Sequence, residues 1–540
     1  MWRFRYLVMA ALGLILSPIA AWAVKPPAAE FAKQVDDSLT KEVLVEGVEV
    51  APRCNDATFL RRAWLDIVGD IPAPEHVIAF TLDKSPDKRA HLVRELLADP
   101  QYGLNWARYW RDVIFYRRIE ERALIAANAL EADLSDRLND NAPWNRVAEE
   151  FITATGDVRE NGATAIIMAQ EGRTEETTAE VARIFLGMQI QCAQCHDHPY
   201  DRWKREQFHE LAAFFPRIGV RPVQSATRRS FQVVASDRRM RIPKNDDGNR
   251  PMPEHMMPDL VDPSAPGTQM APKFFLTTAK LPVGSLDVDR RESLAKWLTG
   301  NEWFAVAAVN RVWAELVGEG FYEPVDDIGP DREARAPETM KLLAAGFRRS
   351  GYDMKWLIET ICATEAYQRQ SRPRRAGETR VPFAASVPQP LRADQLYNAV
   401  LSALDLSDEE PTERGRGGGG GGLYRRQGRR GQFNLTFGYD PSEPRDTITG
   451  SIPQALAMMN SSQVAGGLKA NRGVLAGLLK EIDDDEELFV ELYLRSLSRQ
   501  PTTDELARAA AYVDEVGDRK AAVEDLAWAL LNSAEFRHRR

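Results

Sequence analysis

Four cysteines and seven histidines are all that these 540 residues contain. So few cysteines exclude a disulfide-built scaffold, and a chain of this length buries enough core to need no such staples. Basic residues are also outnumbered: 70 Lys and Arg stand against 79 Asp and Glu, a formal net charge of −9. An acidic chain of this kind lacks the footprint of a general nucleic-acid binder, so no nucleic acid is expected as a partner. Long apolar runs are missing after the N-terminal stretch, and no membrane span is expected beyond it. No phosphate-cradling Gly-rich loop, no Gly-x-Gly-x-x-Gly opening a helix and no Gly-x-Ser-x-Gly elbow occur, which leaves nucleotide-driven and serine-hydrolase chemistry without a motif. Carboxylate runs such as Asp326-Asp327 and Asp483 to Asp485 read as solvated charge, and no repeat of solenoid length is present.

What is there begins with MWRFRYLVMAALGLILSPIAAWAVKPP. Arg3 and Arg5 form a basic start, Leu7 to Leu16 an apolar run, and Ala21-Trp22-Ala23 the small residues a signal peptidase needs. The expectation is a signal peptide over 1–23 cleaved after Ala23, and a periplasmic or otherwise extracytoplasmic protein with no membrane span once it is removed. An uncleaved anchor is the alternative, although the run is short of the roughly 20 apolar residues a span takes.

Apolar spacing predicts a mainly α fold: two helical domains, 30–215 and 288–540, joined by a short β-containing, proline-rich connection over 216–287. Phe59, Leu60, Ala63, Trp64, Ile67 and Val68 recur at helical spacing, with Asp56 as the expected cap. Trp106, Tyr109, Trp110, Val113 and Ile114 form a wide aromatic face, read as core or as the wall of a cofactor pocket. A third helix carries Val181, Ile184, Phe185 and Met188, with Thr177 or Thr178 as the expected cap. In the connection, FQVVA reads as a strand among recurring prolines. Residues 408–433 hold six consecutive glycines, Gly417 to Gly422, flanked by arginines. Their backbone entropy predicts a disordered insertion, with arginines available to an acidic partner.

One stretch concentrates chemistry. Gln191 to Tyr200 reads QCAQCHDHPY and holds two of the four cysteines and two of the seven histidines. Cys192, Cys195 and His196 form the C-x-x-C-H string of haem c attachment. On the last turn of a helix these positions share a face, so both sulfurs reach the vinyl groups and His196 becomes the proximal iron ligand. Haem c is therefore the leading cofactor. Zinc is the alternative, held by Cys192, Cys195 and one or two of His196, His198 and His209. A Cys192–Cys195 disulfide stays open as well, as does a structural His198 held by Asp197 or Asp201. The loop PMPEHMMPD offers Met252, His255, Met256 and Met257 for the other side of an iron, with Met256 the chosen candidate. Met458, Met459 and His209 are further options. Cys54 and Cys362 read as isolated thiols, though a bridge between them is left open. In VNRVWAELVGEGFYEPVDD, Arg311 can clamp a haem propionate or acidic substrate, or pair with a buried Asp to lock helix to loop.

These strings carry a resemblance. FLGMQIQCAQCHDHPYDRWKREQFHELAAFF resembles the hallmark of the planctomycete cytochrome-c-like domain, a family of unknown function. DATFLRRAWLDIVGDIPAPEHVIAF, NWARYWRDV and NAPWNRVAEEFITATGD are similar to its other segments. WFAVAAVNRVWAELVGEGFYEPVDDIG, SGYDMKWLIETICATEAYQRQS, SIPQALAMMN and AWALLNSAEF resemble the partner domain that usually follows it. The likeness covers most of 50–405 and 445–536. It implies an exported c-type haem protein with an electron-transfer or oxidoreductase role, a carbohydrate-derived substrate being one option. It implies haem attachment at Cys192, Cys195 and His196, and a separate electron-transfer protein as partner. One departure stands out: after EPVDDIG relatives show an Asn-Pro-Pro-Ser-His-Pro-like loop, whereas this chain reads PDREARAPE and lacks that histidine. No reaction comes with the family, so enzymatic activity and oligomeric state stay open. The opposing reading is an exported non-haem binding or scaffold protein whose cluster holds zinc or a disulfide.

Overall fold

Asn55, not Asp56, caps the first of the helices that matter for the site, α1 (Asp56–Val68), by accepting from the Thr58 N–H. Asp56 instead occupies the first turn, where its carboxylate faces the positive end of the helix. The computed structural model describes residues 25–223, 230–237, 253–262, 264–373, 380–408, 428–444, 448, 450–460 and 462–540. The expected signal peptide, Met252 and the glycine run lie outside the described residues. Asp99 caps α2 (Pro100–Phe115), whose first position is a proline; that N–H would have no helical partner anyway. The aromatic face of α2 is core, with Trp106, Tyr109 and Trp110 all buried and Trp110 stacked on Trp144 at 4.4 Å between centroids.

The third helix, α3 (Thr174–Leu186), starts before the expected cap. Thr177 and Thr178 are buried inside it, and the Thr178 hydroxyl donates back to the Thr174 carbonyl at 2.7 Å. Glu175 and Glu176 fill the first turn, where negative charge favours an earlier start. Behind the site lie α4 (Arg205–Ala212) and α5 (Glu302–Val317); α6 (Ala393–Ala403) and α7 (Gly428–Phe437) follow.

Strands are few. β1 (Gly156–Asp157), β2 (Ile218–Val223) and β3 (Ser230–Ala235) form an antiparallel sheet in the order β1-β3-β2. The hairpin of the connection thus pairs back onto the first helical segment, with Val233 opposite both Gly156 and Val220. A two-stranded ribbon, β4 (Met256–Met257) with β5 (Thr268–Gln269), follows. The last pair joins β6 (Gln389–Pro390) to β7 (His538–Arg539).

No boundary between cores falls at the connection. The main apolar cluster takes side chains from Ala28 to Leu494, from both sides of it, and Phe185 of α3 meets Phe304 of α5 at 6.4 Å. A second cluster gathers α6 with the C-terminal helices and reaches back to Leu65 and Ile71. The last six residues of the expected disordered insertion, 428–433, are helical. Residues 428–433 open α7, where Phe433 stacks on Phe437 at 4.2 Å and Arg430 bonds Asn398 and Asp408 at 2.8 Å. These contacts supply the order that Gly and Arg composition withholds. Among the cysteines, Cys54 and Cys362 are buried and free, so no bridge joins them.

The basic C-terminal tail is structural at one residue. Arg539 is buried and bonds both oxygens of the buried Asp66 at 2.9 and 3.0 Å, which also accepts from the Tyr367 hydroxyl at 2.8 Å. Deleting Arg539 and Arg540 leaves Asp66 buried without its cation. Breaking such a pair costs about 3–5 kcal/mol. Urea unfolding of the truncated chain should show a loss of that order, and a loss below about 1 kcal/mol would mean that solvent replaces the guanidinium.

Candidate cofactor site at the Cys-His turn

Helix α3 does not run into the C-x-x-C-H string, contrary to expectation. It stops at Leu186, and Gly187 takes the left-handed conformation at φ 68. A Cβ there would sit 2.5 Å from Ile328 Cδ1, and the Ile328 N–H donates to the Gly187 carbonyl at 2.7 Å. Only glycine permits this close approach. The chain then turns, and Cys192 lies on a separate 3-10 turn, Gln191–Gln194.

Ala193 is the residue that anchors this turn, with no exposed surface, whereas Cys192, Cys195 and His196 are all exposed. Both thiols are free. His196 Nδ1 lies 2.7 Å from the Asp197 carbonyl oxygen. A carbonyl can only accept, so Nδ1 carries the hydrogen and Nε2 keeps its lone pair. Asp197 itself accepts from the Arg205 N–H at 3.0 Å and from Lys204 at 2.9 Å, which hold its carboxyl below the usual range.

His198 is structural in this arrangement. Its N–H donates to the Trp203 carbonyl at 2.8 Å, and its Nδ1 accepts from the Tyr200 N–H at 3.3 Å. Neither Asp197 nor Asp201 holds its ring. Asp201 accepts from the Arg202 N–H at 2.8 Å. Its pKa is raised by partial burial and by sharing a hydrogen bond with Asp331.

Helix α4 lies behind the turn and brings in residues that spacing alone does not connect. His209 is buried, and its Nε2 donates to the Gln194 carbonyl at 3.0 Å. That leaves its Nδ1 to accept from His255 Nε2 at 2.8 Å. His255 is buried too, with Nδ1 3.9 Å from Glu175. The PMPEHMMPD loop therefore docks through its histidine, while Met256 on β4 stays 38% exposed. Among the described residues, no group of three or more His, Cys, Asp and Glu side chains is placed to hold a metal ion.

Burial holds both rings neutral: it lowers His209 below the usual imidazole value and His255 to about 4. Unfolded, both return to about 6.5, so the unfolded chain takes up protons more readily than the folded one. Stability from this pair is complete above about pH 6.5 and falls between there and pH 4. For His255 the full effect is on the order of 3 kcal/mol. Hydrogen exchange of the 253–270 segment should accelerate across that window. Protection unchanged from pH 7 to 4.5 would contradict the assignment.

The second feature of the site is a buried carboxylate three residues along from the Gly320–Glu323 turn, Asp326. It takes Arg183 of α3 at 3.0 Å and the Gln189 amide at 2.9 Å. Arg311 of α5 stands off at 3.7 Å. Burial alone would raise its pKa, yet Arg183 and Arg311 together hold the carboxyl at about 2. The helix-to-loop lock expected of Arg311 is present and shared: Arg311 pairs with the buried Asp326 at 3.7 Å, and Arg183 of α3 hydrogen-bonds the same carboxylate at 3.0 Å. Arg311 Nη1 has no hydrogen-bond partner among the described residues. It borders, with Ser442 and Glu443, a cavity of about 20 Å³, room for one water molecule. The PDREARAPE loop also reaches the turn: Arg332 donates to the Tyr200 carbonyl at 3.0 Å, and Asp331 pairs with Arg202 at 2.9 Å.

The Cys-His turn thus belongs to one segment and the loops clamped on it to a later one, and family models divide the chain the same way. Residues 34–219 match the model PSCyt2, described as a protein of unknown function (DUF1549). Residues 290–417 match PSD1, described as a protein of unknown function (DUF1553). The chain carries both regions, in that order. The Cys-His turn, α3 and α4 lie in the PSCyt2 region; Arg311, Asp326 and the 328–335 loop lie in the PSD1 region. No curated protein and no solved structure matches the chain. No helix among the described residues is long and apolar enough to cross a membrane.

Proposed function

We propose that this chain is an exported c-type haem protein with an electron-transfer or oxidoreductase role. Cys192 and Cys195 form the thioethers and His196 takes the iron through Nε2. The observation that carries this reading is the His196 Nδ1–H bond to the Asp197 carbonyl at 2.7 Å, which leaves Nε2 as the coordinating nitrogen beside two free, exposed thiols. A backbone carbonyl on the far ring nitrogen also fixes the tautomer and raises ligand basicity. The donor set fits a covalently held haem: Ala193 anchors the turn, so alkylating both sulfurs disturbs no core contact. When bound, the group supplies one-electron chemistry at its iron. Met256, partly exposed on the ribbon docked through His255, would be the thioether available as a further iron ligand. His198 does not take that role here, because it closes the turn. Export rests on the N-terminal basic and apolar pattern of the sequence, and the exposed cluster suits exchange with a separate electron-transfer protein.

The test is production in a host that matures haem c, followed by a pyridine haemochrome spectrum and metal analysis of the purified protein. A covalent haem c band with one iron per chain supports the reading. No band, with stoichiometric zinc or a Cys192–Cys195 disulfide instead, would establish the non-haem alternative.

A further inference from the structure

Beyond the second family-model match lie three helices, α8 (Asp485–Leu497), α9 (Thr503–Val516) and α10 (Arg519–Asn532). Thr502 and Glu505 cap α9 reciprocally: the Thr502 N–H donates to Glu505 at 2.8 Å, and the Thr502 hydroxyl accepts from the Glu505 N–H at 3.3 Å. A helix so delimited normally buries an apolar stripe against its neighbours. Leu506, Ala509, Val513 and Val516 recur at that spacing, yet Ala509 is the one residue of α9 that is buried. The rest of the stripe is left beside a groove of about 680 Å³, walled by Phe489 and Tyr493 of α8, Val513 of α9, and Leu526 and Trp528 of α10. Trp528 is 39% exposed, so its indole is open to a ligand. Mostly apolar clefts of about 300–1,000 Å³ between bundle helices are where small molecules bind.

Three charged side chains border this groove: Glu505, Arg508 and Asp525. Glu505 is neutralised, because Arg499 holds its two oxygens at 2.8 and 2.9 Å. Arg508 and Asp525 are not. Arg508 donates from Nε to the Asp504 carbonyl at 3.2 Å, and among the described residues its two Nη groups bond nothing. Asp525 accepts from the Tyr512 hydroxyl at 2.8 Å, and no cation among the described residues pairs with it. One open cation and one open anion thus share an apolar floor. A ligand charged at one end would serve one of them and leave the other unmatched, whereas a zwitterion serves both. The Tyr493 hydroxyl, without a hydrogen-bond partner among the described residues, can bond an amide of such a ligand.

We propose that this groove binds a short apolar peptide with both termini free. Its carboxylate meets Arg508, its ammonium meets Asp525, and its side chains lie on Val513, Leu526 and Trp528. The Cys-His turn contributes nothing to the groove, so the proposal stands whether or not haem is attached.

Calorimetry and saturation-transfer NMR on the full mature chain test it, with leucyl-phenylalanine as the probe. The N-acetylated and C-amidated forms of that dipeptide each lack one terminal charge, and diglycine lacks the apolar side chains. The free dipeptide should bind, and each blocked form should bind about tenfold or more weakly, the loss expected for one charge-assisted hydrogen bond. Arg508→Gln should weaken the free dipeptide about tenfold and leave the amidated form unchanged. Asp525→Asn should weaken it likewise and leave the acetylated form unchanged. Both residues are exposed, so neither variant should shift the thermal melt, and the blocked probes test the same claim on the unaltered chain. The proposal is overturned if the free dipeptide does not bind, if diglycine binds equally well, if a blocked form matches the free one, or if the two variants weaken every form alike.

Discussion

The double variant Cys192→Ala, Cys195→Ala should emerge from a haem c maturing host with no covalently attached haem and with its fold intact. Loss is expected to be complete, because each thioether needs its own sulfur and no other exposed cysteine is present. The fold is expected to persist because the anchoring side chain of the turn is Ala193, while both thiols face solvent. Exposed substitutions away from core and network usually move stability by less than about 0.5 kcal/mol. His196→Ala separates the two roles: the thioethers form, but the iron loses its nitrogen ligand, so the band persists with a shifted Soret maximum. Haem content is read by pyridine haemochrome and integrity by the thermal melt. Equal haem in the double variant and the parent would sink the attachment reading. A collapsed melt without any haem in the parent would instead make the cysteines structural.

Asp326→Ala should cost about 3–5 kcal/mol of stability, the penalty for leaving a buried ion, here Arg311, without its carboxylate. Arg183, Gln189 and Arg311 all face this one carboxylate, and the Arg183 guanidinium would retain only Glu180, Ser442 and the Val113 carbonyl. Asp326→Asn keeps the shape and an acceptor, so an intermediate loss is expected. The carboxyl sits at about 2 when folded and near 3.9 when unfolded. Its contribution is therefore present above about pH 4 and lost as pH falls towards 2. The parent should show that acid limb in urea midpoints, and both variants should lack it. Gln189 lies three residues before Cys192, so amide exchange of 188–196 should also speed up in Asp326→Ala. A loss below about 1 kcal/mol with unchanged exchange would show that Asp326 does not brace the turn.

Much of this architecture was legible in advance because it is written in local spacing. The stripe of Phe59, Leu60, Ala63 and Ile67 announced α1, and the aromatic face of Trp106, Tyr109 and Trp110 announced α2. The Cys-His string was equally plain, because its chemistry depends on residue type within five positions. Errors fell at boundaries. Two threonines looked like a cap for α3, but they lie inside the helix, where the Thr178 hydroxyl turns back on the preceding turn. The island extended too far because composition does not register that Arg430 finds Asp408 and Asn398.

Alone, the sequence determined that this protein is mainly helical, where most of its helices lie, and that Cys192, Cys195 and His196 fall within five positions of one another. Those are matters of period and neighbour, which the chain expresses within a few residues. Only the tertiary structure decided that α3 stops short of Cys192, because Ile328, far along the chain, closes on Gly187. It alone joined His255 to His209 behind the turn, and brought Arg183 to Asp326 alongside Arg311. Each of these is a choice among several available partners. Burial settles such choices, because a charge or ring nitrogen taken out of water must find its complement wherever packing places it.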